Sequence, residues 1–299
     1  MLLVLVIVDG ASLEHYSTCL DDMPINHLFD VVKLIDTRDS KNDVGDSASG
    51  ATHIAVGAKP VRRRQIGITG KTSWFREACQ NPHIQTGIIT SSYITDATPA
   101  AFIAQTSDRS HNRIILNAML NANPDTIVGC GLHSYTISKL RPWCEDTGRR
   151  VIIDSNGVTQ HRSFDLANEA NIFLNSVEQK QQHGVLVIEA GQIDVACHNQ
   201  DVDHLEQEMN ELCRLLHTLK LFQNHAQCPV NIVMTSDHAT GGVQVRAQNK
   251  VVIPYDDHTG HLVPMFVAGS CCATLPRECV IRQFRVGDWI RAVINNQIK

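Results

Sequence analysis

Acidic and histidine side chains follow apolar stretches at several places in this 299-residue sequence. Asp9 comes directly after LLVLVIV, and Glu189 lies near the end of VLVIEAG. Asp237 and His238 follow VNIVMTS. One acid at such a position is commonly a turn former or a helix cap, but several acids on one edge of a sheet repel one another unless a cation lies among them. The pattern therefore predicts a cation site made of carboxylate and imidazole groups.

A second pair of metal-ligand type lies in EAGQIDVACH. Asp194 and His198 are four residues apart, so they share one face of a helix. Taken alone, such a pair is more often a hydrogen-bonded surface pair than a metal site. The strand-end residues, together with His258 and His261 of HTGH, favour the metal interpretation. Nitrogen and oxygen ligands without thiolates are typical of zinc in a catalytic site.

The segment GDSASGATHIAVGAK contains a candidate nucleophile, Ser47. Asp46 and Ser47 precede a run of small residues with helical character, so the Ser47 hydroxyl is expected near a helix N-terminus, where backbone N–H groups and the helix dipole favour an anion. The alternative is that Asp46 or Ser47 is only an N-cap residue, and this segment alone favours that alternative. Capping and catalysis are compatible.

Two further segments contain polar residues with an ordinary structural explanation. In SSYITDATPAAFIAQTSDR, Thr98 before Pro99 is typical of a helix start, and Arg109 of a last-turn residue that complements the helix dipole. Asp96 precedes them. The arginines of VRRRQIGITG, Arg62–Arg64, are either a solvated loop or a device that attracts an anionic substrate, and the solvated loop is favoured.

The elements that must position these residues are apolar runs of strand length separated by amphipathic helical patterns. The runs lack period-two alternation, which is typical of strands buried on both faces of a parallel sheet. The predicted strands are Leu2–Val8, Val31–Ile35, Thr86–Thr90, Thr126–Val128, Val151–Ile153, Val185–Ile188, Val230–Thr235 and Val263–Ala268. The predicted helices are Ala97–Thr106, Asn112–Leu120, Asp165–Ser176 and Val202–Leu221.

This alternation predicts the α/β class, with a central, mostly parallel sheet flanked by helices on both faces. Ligands of such sheets bind outside the carboxyl ends of the strands, where the acidic residues lie. The sequence shows neither an internal repeat nor a linker rich in Pro, Gly and Ser, so residues 1–299 are expected to form a single catalytic domain.

Composition excludes several classes of protein. With 43% hydrophobic and 19% charged residues the chain is globular, and a net charge of -5 with a pI near 6.3 argues against nucleic-acid partners and anionic membranes. The N-terminus has neither a signal-peptide pattern nor a membrane-spanning run, which on sequence alone predicts a cytoplasmic protein. Most of the ten cysteines, among them Cys130, Cys213, Cys271 and Cys272, are expected to be core thiols, favouring a reducing compartment.

Five segments, in order, resemble motifs of the alkaline phosphatase family: DSASGATHIAVGAK, DATPAAFIAQTSDR, EAGQIDVACH, TSDHATGG and DDHTGH. Any one of them is a weak signal, but five in order over most of the chain are specific. The resemblance implies two zinc ions and one magnesium ion. The implied ligands are Asp194, His198 and His258 for one zinc, Asp9, Asp237 and His238 for the other, and Asp9, Thr98 and Glu189 for magnesium. It further implies Ser47 as the nucleophile, Arg109 as the phosphate clamp, and Asp46, Asp96 and His261 beside them.

The implied activity is hydrolysis of small-molecule phosphate monoesters through a phosphoserine. Val195 departs from the family pattern, because several members have Lys or His there, so phosphate affinity and the metal at the third site are open. The chain also leaves little material for the large crown insertions of the family, so a homodimer is expected from the resemblance only. Members are often secreted or periplasmic.

Two other activities are weighed against this one. A phosphodiesterase of the same superfamily commonly uses threonine as its nucleophile, and a sulfatase needs Cys-x-Pro-x-Arg where this sequence has DSASG. From a different class comes an inactive relative that acts as a binding or structural protein, but it is disfavoured because the implied ligands, Ser47 and Arg109 are all present.

Overall fold

The computed structural model describes residues 1–18, 25–131, 149–154, 162–247 and 250–297. The strands in chain order are β1 Leu2–Val8, β2 Val31–Asp36, β3 Ile84–Tyr93, β4 Thr126–Cys130, β5 Arg150–Asp154, β6 His183–Ala190, β7 Val230–Thr235, β8 Ala239–Thr240, β9 Gln244–Arg246, β10 Lys250–Val252, β11 His258–Thr259, β12 Val263–Ala268 and β13 Val280–Arg282. Each of the eight predicted strands corresponds to one of these.

Nine of the strands form one sheet in the order β13-β2-β12-β7-β1-β6-β3-β4-β5. β12 runs antiparallel to both of its neighbours, and the other neighbouring strands are parallel. The prediction of a mostly parallel sheet is therefore confirmed. Outside this sheet, β11 pairs antiparallel with β8, which places His258 opposite Thr240.

The helices are α1 Leu13–Tyr16, α2 Ile25–Leu28, α3 Ser47–Val56, α4 Trp74–Cys79, α5 Ala97–Ala101, α6 Asn112–Ala122, α7 Leu166–Lys180, α8 Gln192–His198, α9 Val202–His225 and α10 Gln283–Gln297. Alternate residues of β1 belong to two separate cores. Leu3 and Leu5 share one core with α3 and α10, whereas Leu2 and Val4 share the other with α7 and α9. Helices therefore cover both faces of the sheet, as predicted.

Helix bounds differ from the prediction at the C-terminal ends. The helix predicted to reach Thr106 ends at Ala101, because the chain turns after Phe102 and Thr106 forms an isolated antiparallel bridge with Ile66. The other three predicted helices are longer than the pattern indicated and end at Ala122, Lys180 and His225.

Two predictions from composition can be compared with the described residues. Cys130, Cys213 and Cys271 are buried, as predicted, whereas Cys272 is only half-buried. None of the helices in the described ranges has the length and apolar character needed to cross a bilayer.

Candidate active site

The carboxyl ends of three neighbouring strands bring the strand-end residues together. β1 lies between β7 and β6, with Ile7 in register with Thr235 on one side and with Glu189 on the other. Asp9 follows β1 by one residue, and Asp237 follows β7 by two. The sheet itself therefore gathers the carboxylates at one edge, as the sequence pattern predicted.

Asp9, Asp237 and His238 form a cluster that we call the buried group. Asp9 is 6% exposed and the other two residues are fully buried. Asp9 Oδ1 lies 3.2 Å from His238 Nε2, and Asp237 Oδ2 lies 3.7 Å from the same nitrogen. Among the described residues, these two carboxylate oxygens have no hydrogen-bond partner. Unpartnered buried carboxylate oxygens are costly unless a cation compensates them.

Asp194, His198 and His258 form a second cluster, which we call the open group. Asp194 and His198 lie on α8, with Asp194 Oδ2 3.4 Å from His198 Nε2. The Nε2 atoms of His198 and His258 are 3.2 Å apart. The side chain of His198 is 37% exposed, so this cluster faces solvent far more than the buried group does.

His198, His238 and His258 direct Nε2 into the two clusters, because an oxygen atom is hydrogen-bonded to the other ring nitrogen, Nδ1. The Nδ1 partners are the Asp256 carbonyl for His198 (2.6 Å), the Gly45 carbonyl for His258 (3.0 Å) and Thr240 Oγ1 for His238 (3.1 Å). A carbonyl can only accept, so Nδ1 carries the proton in His198 and His258. Nε2 of His258 then has a free lone pair, the arrangement found in metal-binding histidines, and Nε2 of His198 has one once its second proton has left.

Thr240 connects the two groups. Its Oγ1 donates to Asp194 Oδ1 at 2.5 Å and accepts from Nδ1 of His238, and its amide donates to the Gly10 carbonyl at 2.8 Å. Gly10 has a φ of +73°, and a Cβ there would lie 2.7 Å from Asp194 Oδ1 and 2.9 Å from Thr240 Oγ1. Only glycine fits at this position.

The start of α8 is fixed by a residue of a neighbouring strand. Ser91 Oγ accepts hydrogen bonds from the amides of Gly191 (2.9 Å) and Gln192 (3.3 Å), which satisfies two of the free N–H groups at the helix N-terminus. This contact positions the helix that carries Asp194 and His198.

Asp9, Thr98 and Glu189 adjoin the buried group on its other side. Thr98 Oγ1 lies 3.5 Å from Asp9 Oδ2, and Thr98 adjoins the Glu189 carboxyl group. A short hydrogen bond from Thr90 Oγ1 further holds the Glu189 carboxyl group. The three residues predicted for the third ion are thus neighbours.

Ser47 is the first residue of α3 and is preceded by the capping residue Asp46. The Asp46 carboxylate accepts from the amides of Ser49 (3.0 Å) and Arg64 (2.9 Å), so Asp46 provides the cap and the Ser47 hydroxyl is left for other contacts. Ser47 Oγ lies 3.1 Å from His238 Nε2. The hydroxyl therefore borders the buried group, at a helix N-terminus.

Arg109 is a second neighbour of the Ser47 hydroxyl. Its Nη1 lies 3.4 Å from Ser47 Oγ, while its Nη2 donates to Asp96 Oδ1 at 2.9 Å. Burial opposes the charge, but Asp96 and Asp46 outweigh it and the pKa of Arg109 is raised. The guanidinium is therefore a fixed cation beside the hydroxyl.

The three successive arginines of the sequence are exposed. Arg64 forms two hydrogen bonds with the Asp108 carboxylate, at 2.7 and 3.0 Å, which agrees with the solvated interpretation of Arg62–Arg64.

The clusters differ in the pKa values of their acids. Burial, together with Asp237, Asp194 and Glu189, raises the pKa of Asp9 well above its usual range. Burial, followed by the charge of Asp96, raises the pKa of Glu189 to about 8. The acids of the buried group and its neighbour are therefore incompletely compensated by positive charge.

In the open group, burial would raise the pKa of Asp194, but the hydrogen bond to His198 and the nearby His238 lower it overall. The hydrogen bond to Asp194 raises the pKa of His198 to about 9. Burial and His238 lower the pKa of His258 to about 4.

These donors suit a divalent metal. Two sets of three ligand atoms lie within 4.8 Å of one another, Asp9 with Asp237 and His238, and Asp194 with His238 and His258. His238 is common to both sets, and His198 adjoins the second. Carboxylate oxygens combined with imidazole nitrogens are typical zinc ligands, whereas an all-oxygen set such as Asp9, Thr98 and Glu189 suits magnesium.

Four further residues bear on the predictions from the sequence. His261 is exposed, with its Nδ1 2.8 Å from Thr259 Oγ1, and Val195 is half-buried on α8. Thr240 was missed, although it lies in the TSDHATGG segment, and its signal is a hydroxyl residue within three positions of a predicted ligand. Ser91 contacts the site only through tertiary structure, so its sequence context offers no signal.

Fold and site together define a protein of the α/β class with metal-ligand residue types at a strand edge, next to a serine at a helix N-terminus. A sequence model of the alkaline phosphatase family matches residues 16–130. The alkaline phosphatase of Schizosaccharomyces pombe is 24% identical, with the match covering 71% of this chain and 49% of that protein. The repressible alkaline phosphatase of Saccharomyces cerevisiae is 25% identical, with 77% and 52% covered.

Solved structures show the same fold. The alkaline phosphatase of the Antarctic bacterium TAB5 superimposes with a TM-score of 0.84 at 22% identity, covering 98% of this chain and 97% of that one. A variant of that enzyme is described with Mg bound in its M3 site. The Thermus thermophilus alkaline phosphatase has a TM-score of 0.72 at 13% identity, with 97% and 90% covered.

These matches agree with the resemblance to the alkaline phosphatase family seen in the motifs. The chain spans about half the length of the curated relatives it matches.

Proposed function

We propose that this protein is a metal-dependent phosphomonoesterase that hydrolyses small phosphate monoesters through a phosphoserine at Ser47. The observation that carries the proposal is the position of the Ser47 hydroxyl, 3.1 Å from His238 of the buried group and 3.4 Å from Arg109. A nucleophile, a cluster of metal-ligand type and a cation for phosphate oxygens meet at one helix N-terminus.

Two zinc ions and one magnesium ion fit the donors. One zinc would be held by Asp194, His198 and His258, the other by Asp9, Asp237 and His238, and magnesium by Asp9, Thr98 and Glu189. When bound, such ions supply Lewis-acid stabilisation to the attacking and leaving oxygens and acidify bound hydroxyls.

The protein groups position the substrate and the nucleophile. Arg109 offers two N–H groups to oxygens of the phosphoryl group, and Asp96 holds its guanidinium in place. The amides of α3 direct their dipoles at the Ser47 hydroxyl, where negative charge develops during attack. Binding at this point aligns the phosphorus with the serine oxygen.

The reaction proceeds by two displacements. Ser47 Oγ forms a bond to phosphorus as the bond to the alcohol oxygen breaks, and the alcohol leaves with a proton. Water then attacks the phosphoserine, the bond between phosphorus and Ser47 Oγ breaks, and inorganic phosphate is released as Ser47 regains its proton.

Hydrolysis of p-nitrophenyl phosphate at alkaline pH tests the proposal, with zinc and magnesium added or chelated. We expect metal-dependent turnover that Ser47→Ala reduces by at least about three orders of magnitude. Ser176→Ala is the matched control, because Ser176 lies on α7 and bonds Gln85. Full activity of Ser47→Ala, or an inactive metallated protein, would refute the proposal.

The same assay with bis-p-nitrophenyl phosphate distinguishes the alternatives. Faster cleavage of this diester than of the monoester would identify a phosphodiesterase. No cleavage of either ester by a protein that binds zinc would identify an inactive relative with a binding role.

A further inference from the structure

Two buried polar side chains outside the proposed machinery connect the nucleophile helix to the strand end that carries Asp237 and His238. His53 lies on α3, six residues after Ser47, and Gln283 is the first residue of α10. Each side chain is 1% exposed. Buried polar groups need partners, and the partners of these two residues span three segments of the chain.

The hydrogen bonds between these segments have one consistent direction. The Val61 amide donates to His53 Nε2 at 3.0 Å, so the ring proton is on Nδ1, which donates to Gln283 Oε1 at 3.1 Å. Gln283 Nε2 then donates to the carbonyls of Ser236 (3.0 Å) and Asp237 (2.8 Å). A flipped amide would place its oxygen against both carbonyls, so only this arrangement satisfies every group.

The backbones around this network are in close contact. A Cβ on Gly50 of α3 would lie 2.1 Å from the Asp237 carbonyl oxygen, and a Cβ on Gly287 of α10 would lie 2.3 Å from the His53 carbonyl oxygen. Asp237 is thus held between α3 and Gln283, with α10 packed directly on α3. Burial also lowers the pKa of His53 to about 4, which keeps the ring neutral at neutral pH.

We propose that Gln283 and His53 are positioning residues that set the separation between the Ser47 hydroxyl and the metal ion of the buried group. The inference rests on the proposed function. Helix α3 fixes the position of Ser47 relative to His53, and His238 directly follows Asp237 in the chain. The hydrogen-bonded bridge from His53 through Gln283 to Asp237 therefore determines the distance between Ser47 and His238. Misplacing reacting groups by about 1 Å can cost about a hundredfold in rate.

Gln283→Met tests this directly, because it keeps the length of the side chain and removes its hydrogen bonds. Gln85→Met is the matched control: Gln85 is 6% exposed, lies at the start of β3 and bonds Ser176. For Gln283→Met we expect kcat for p-nitrophenyl phosphate to fall about tenfold to a hundredfold with KM nearly unchanged, and zinc affinity by calorimetry to fall about tenfold. Gln85→Met is expected to change neither.

A pair of histidine variants provides the rescue experiment. Asparagine can place an N–H near the position of Nδ1, so His53→Asn is expected to retain most of the zinc affinity and kcat. His53→Leu has no donor and is expected to behave as Gln283→Met does. If Gln283→Met does not fold, judged by circular dichroism, this pair decides the question.

Equal zinc affinity and kcat in Gln283→Met and Gln85→Met, or in His53→Asn and His53→Leu, would overturn the positioning role. The calorimetric arm separates this inference from the proposed function. If the wild-type protein hydrolyses no ester, the phosphatase proposal fails, yet a selective loss of zinc affinity in Gln283→Met still supports the positioning of the buried group.

Discussion

The buried group and the open group contain the same residue types but differ in how their negative charges are compensated. In the open group Asp194 faces His198, whose pKa is raised to about 9, so the cluster contains its own ion pair and reaches solvent. In the buried group Asp9 and Asp237 are enclosed, and each has a carboxylate oxygen without a partner among the described residues. From this difference we infer that the buried group depends on a cation for its stability, whereas the open group would need one mainly for the proposed chemistry.

Metal removal is the strongest test of this contrast. A ligand that binds only the folded state at a thousand times its dissociation constant adds about 4 kcal/mol to the free energy of unfolding. We expect EDTA to lower that free energy by about this amount, because the carboxylates of Asp9 and Asp237 are then left uncompensated. Urea unfolding with and without the chelator measures the change. Identical curves would contradict a structural dependence on metal.

The pH dependence of the metal-free protein should show the same excess of buried acids. Histidines with lowered pKa, such as His53 and His258, change the free energy of unfolding only below about pH 6.5. Between pH 6.5 and 8, the free energy of unfolding therefore reports on the groups with raised pKa. In that window folded Glu189, with a pKa of about 8, keeps a proton that the unfolded chain has lost. Stability is therefore lost as pH rises, with Asp9 and His198 acting in the same direction.

For Glu189 alone the loss is about 2 kcal/mol across this window. Urea midpoints in EDTA at several pH values measure it, and Glu189→Gln should flatten the slope. A stability that increases with pH between 6.5 and 8 would show that the buried acids are compensated by another route.

The link between the two groups can be removed with an isosteric change. Thr240→Val keeps the shape and deletes the hydroxyl that joins Asp194 to His238. We expect zinc affinity to fall about tenfold, as is usual when a partner of a metal ligand is lost. Thr86→Val is the control, because the Thr86 hydroxyl also bonds a carboxylate, that of Asp125, at the start of β3. Equal affinities of the two variants would separate Thr240 from metal binding.

The smallest expected effect is a change in the free energy of unfolding that has opposite signs in the buried group and the open group. In the metal-free protein Asp9→Asn removes an acid whose pKa is raised by burial and by neighbouring acids, and which therefore opposes folding at neutral pH. We expect the free energy of unfolding to rise by about 1 kcal/mol. Asp194→Asn removes the partner of His198 and should lower it by about 1 kcal/mol. Urea unfolding in EDTA compares the two variants. Changes of the same sign would mean that the clusters are electrostatically alike.

The edge of the sheet could be predicted because its signals are local. Asp9 and Asp237 directly follow apolar runs, and parallel strands end at a common edge, so their proximity follows from the strand pattern. The same pattern predicted eight strands of the central sheet. It did not distinguish β12, whose antiparallel direction depends on its neighbours rather than on its own residues.

Residues that act through distant contacts had no such signal. Gln283 meets the Asp237 carbonyl, and Ser91 meets the amide of Gly191, across separations of 46 and 100 residues. Nothing in the spacing of their own segments indicates these partners. His53 lies within the segment DSASGATHIAVGAK, but its neighbours on α3 predict only a buried helix face.

The position of β1 in the sheet has a consequence for how the protein is made. Residue 2 pairs with residue 184 on one side and with residue 230 on the other, so the central strand is synthesised long before either neighbour. Pairings of such long range form slowly, because loop-closure entropy opposes them until late in folding. The all-apolar strand β1 therefore stays unpaired during much of translation, and such exposed apolar segments are the kind that chaperones bind. The edge that carries Asp9 can be completed only after β7 emerges.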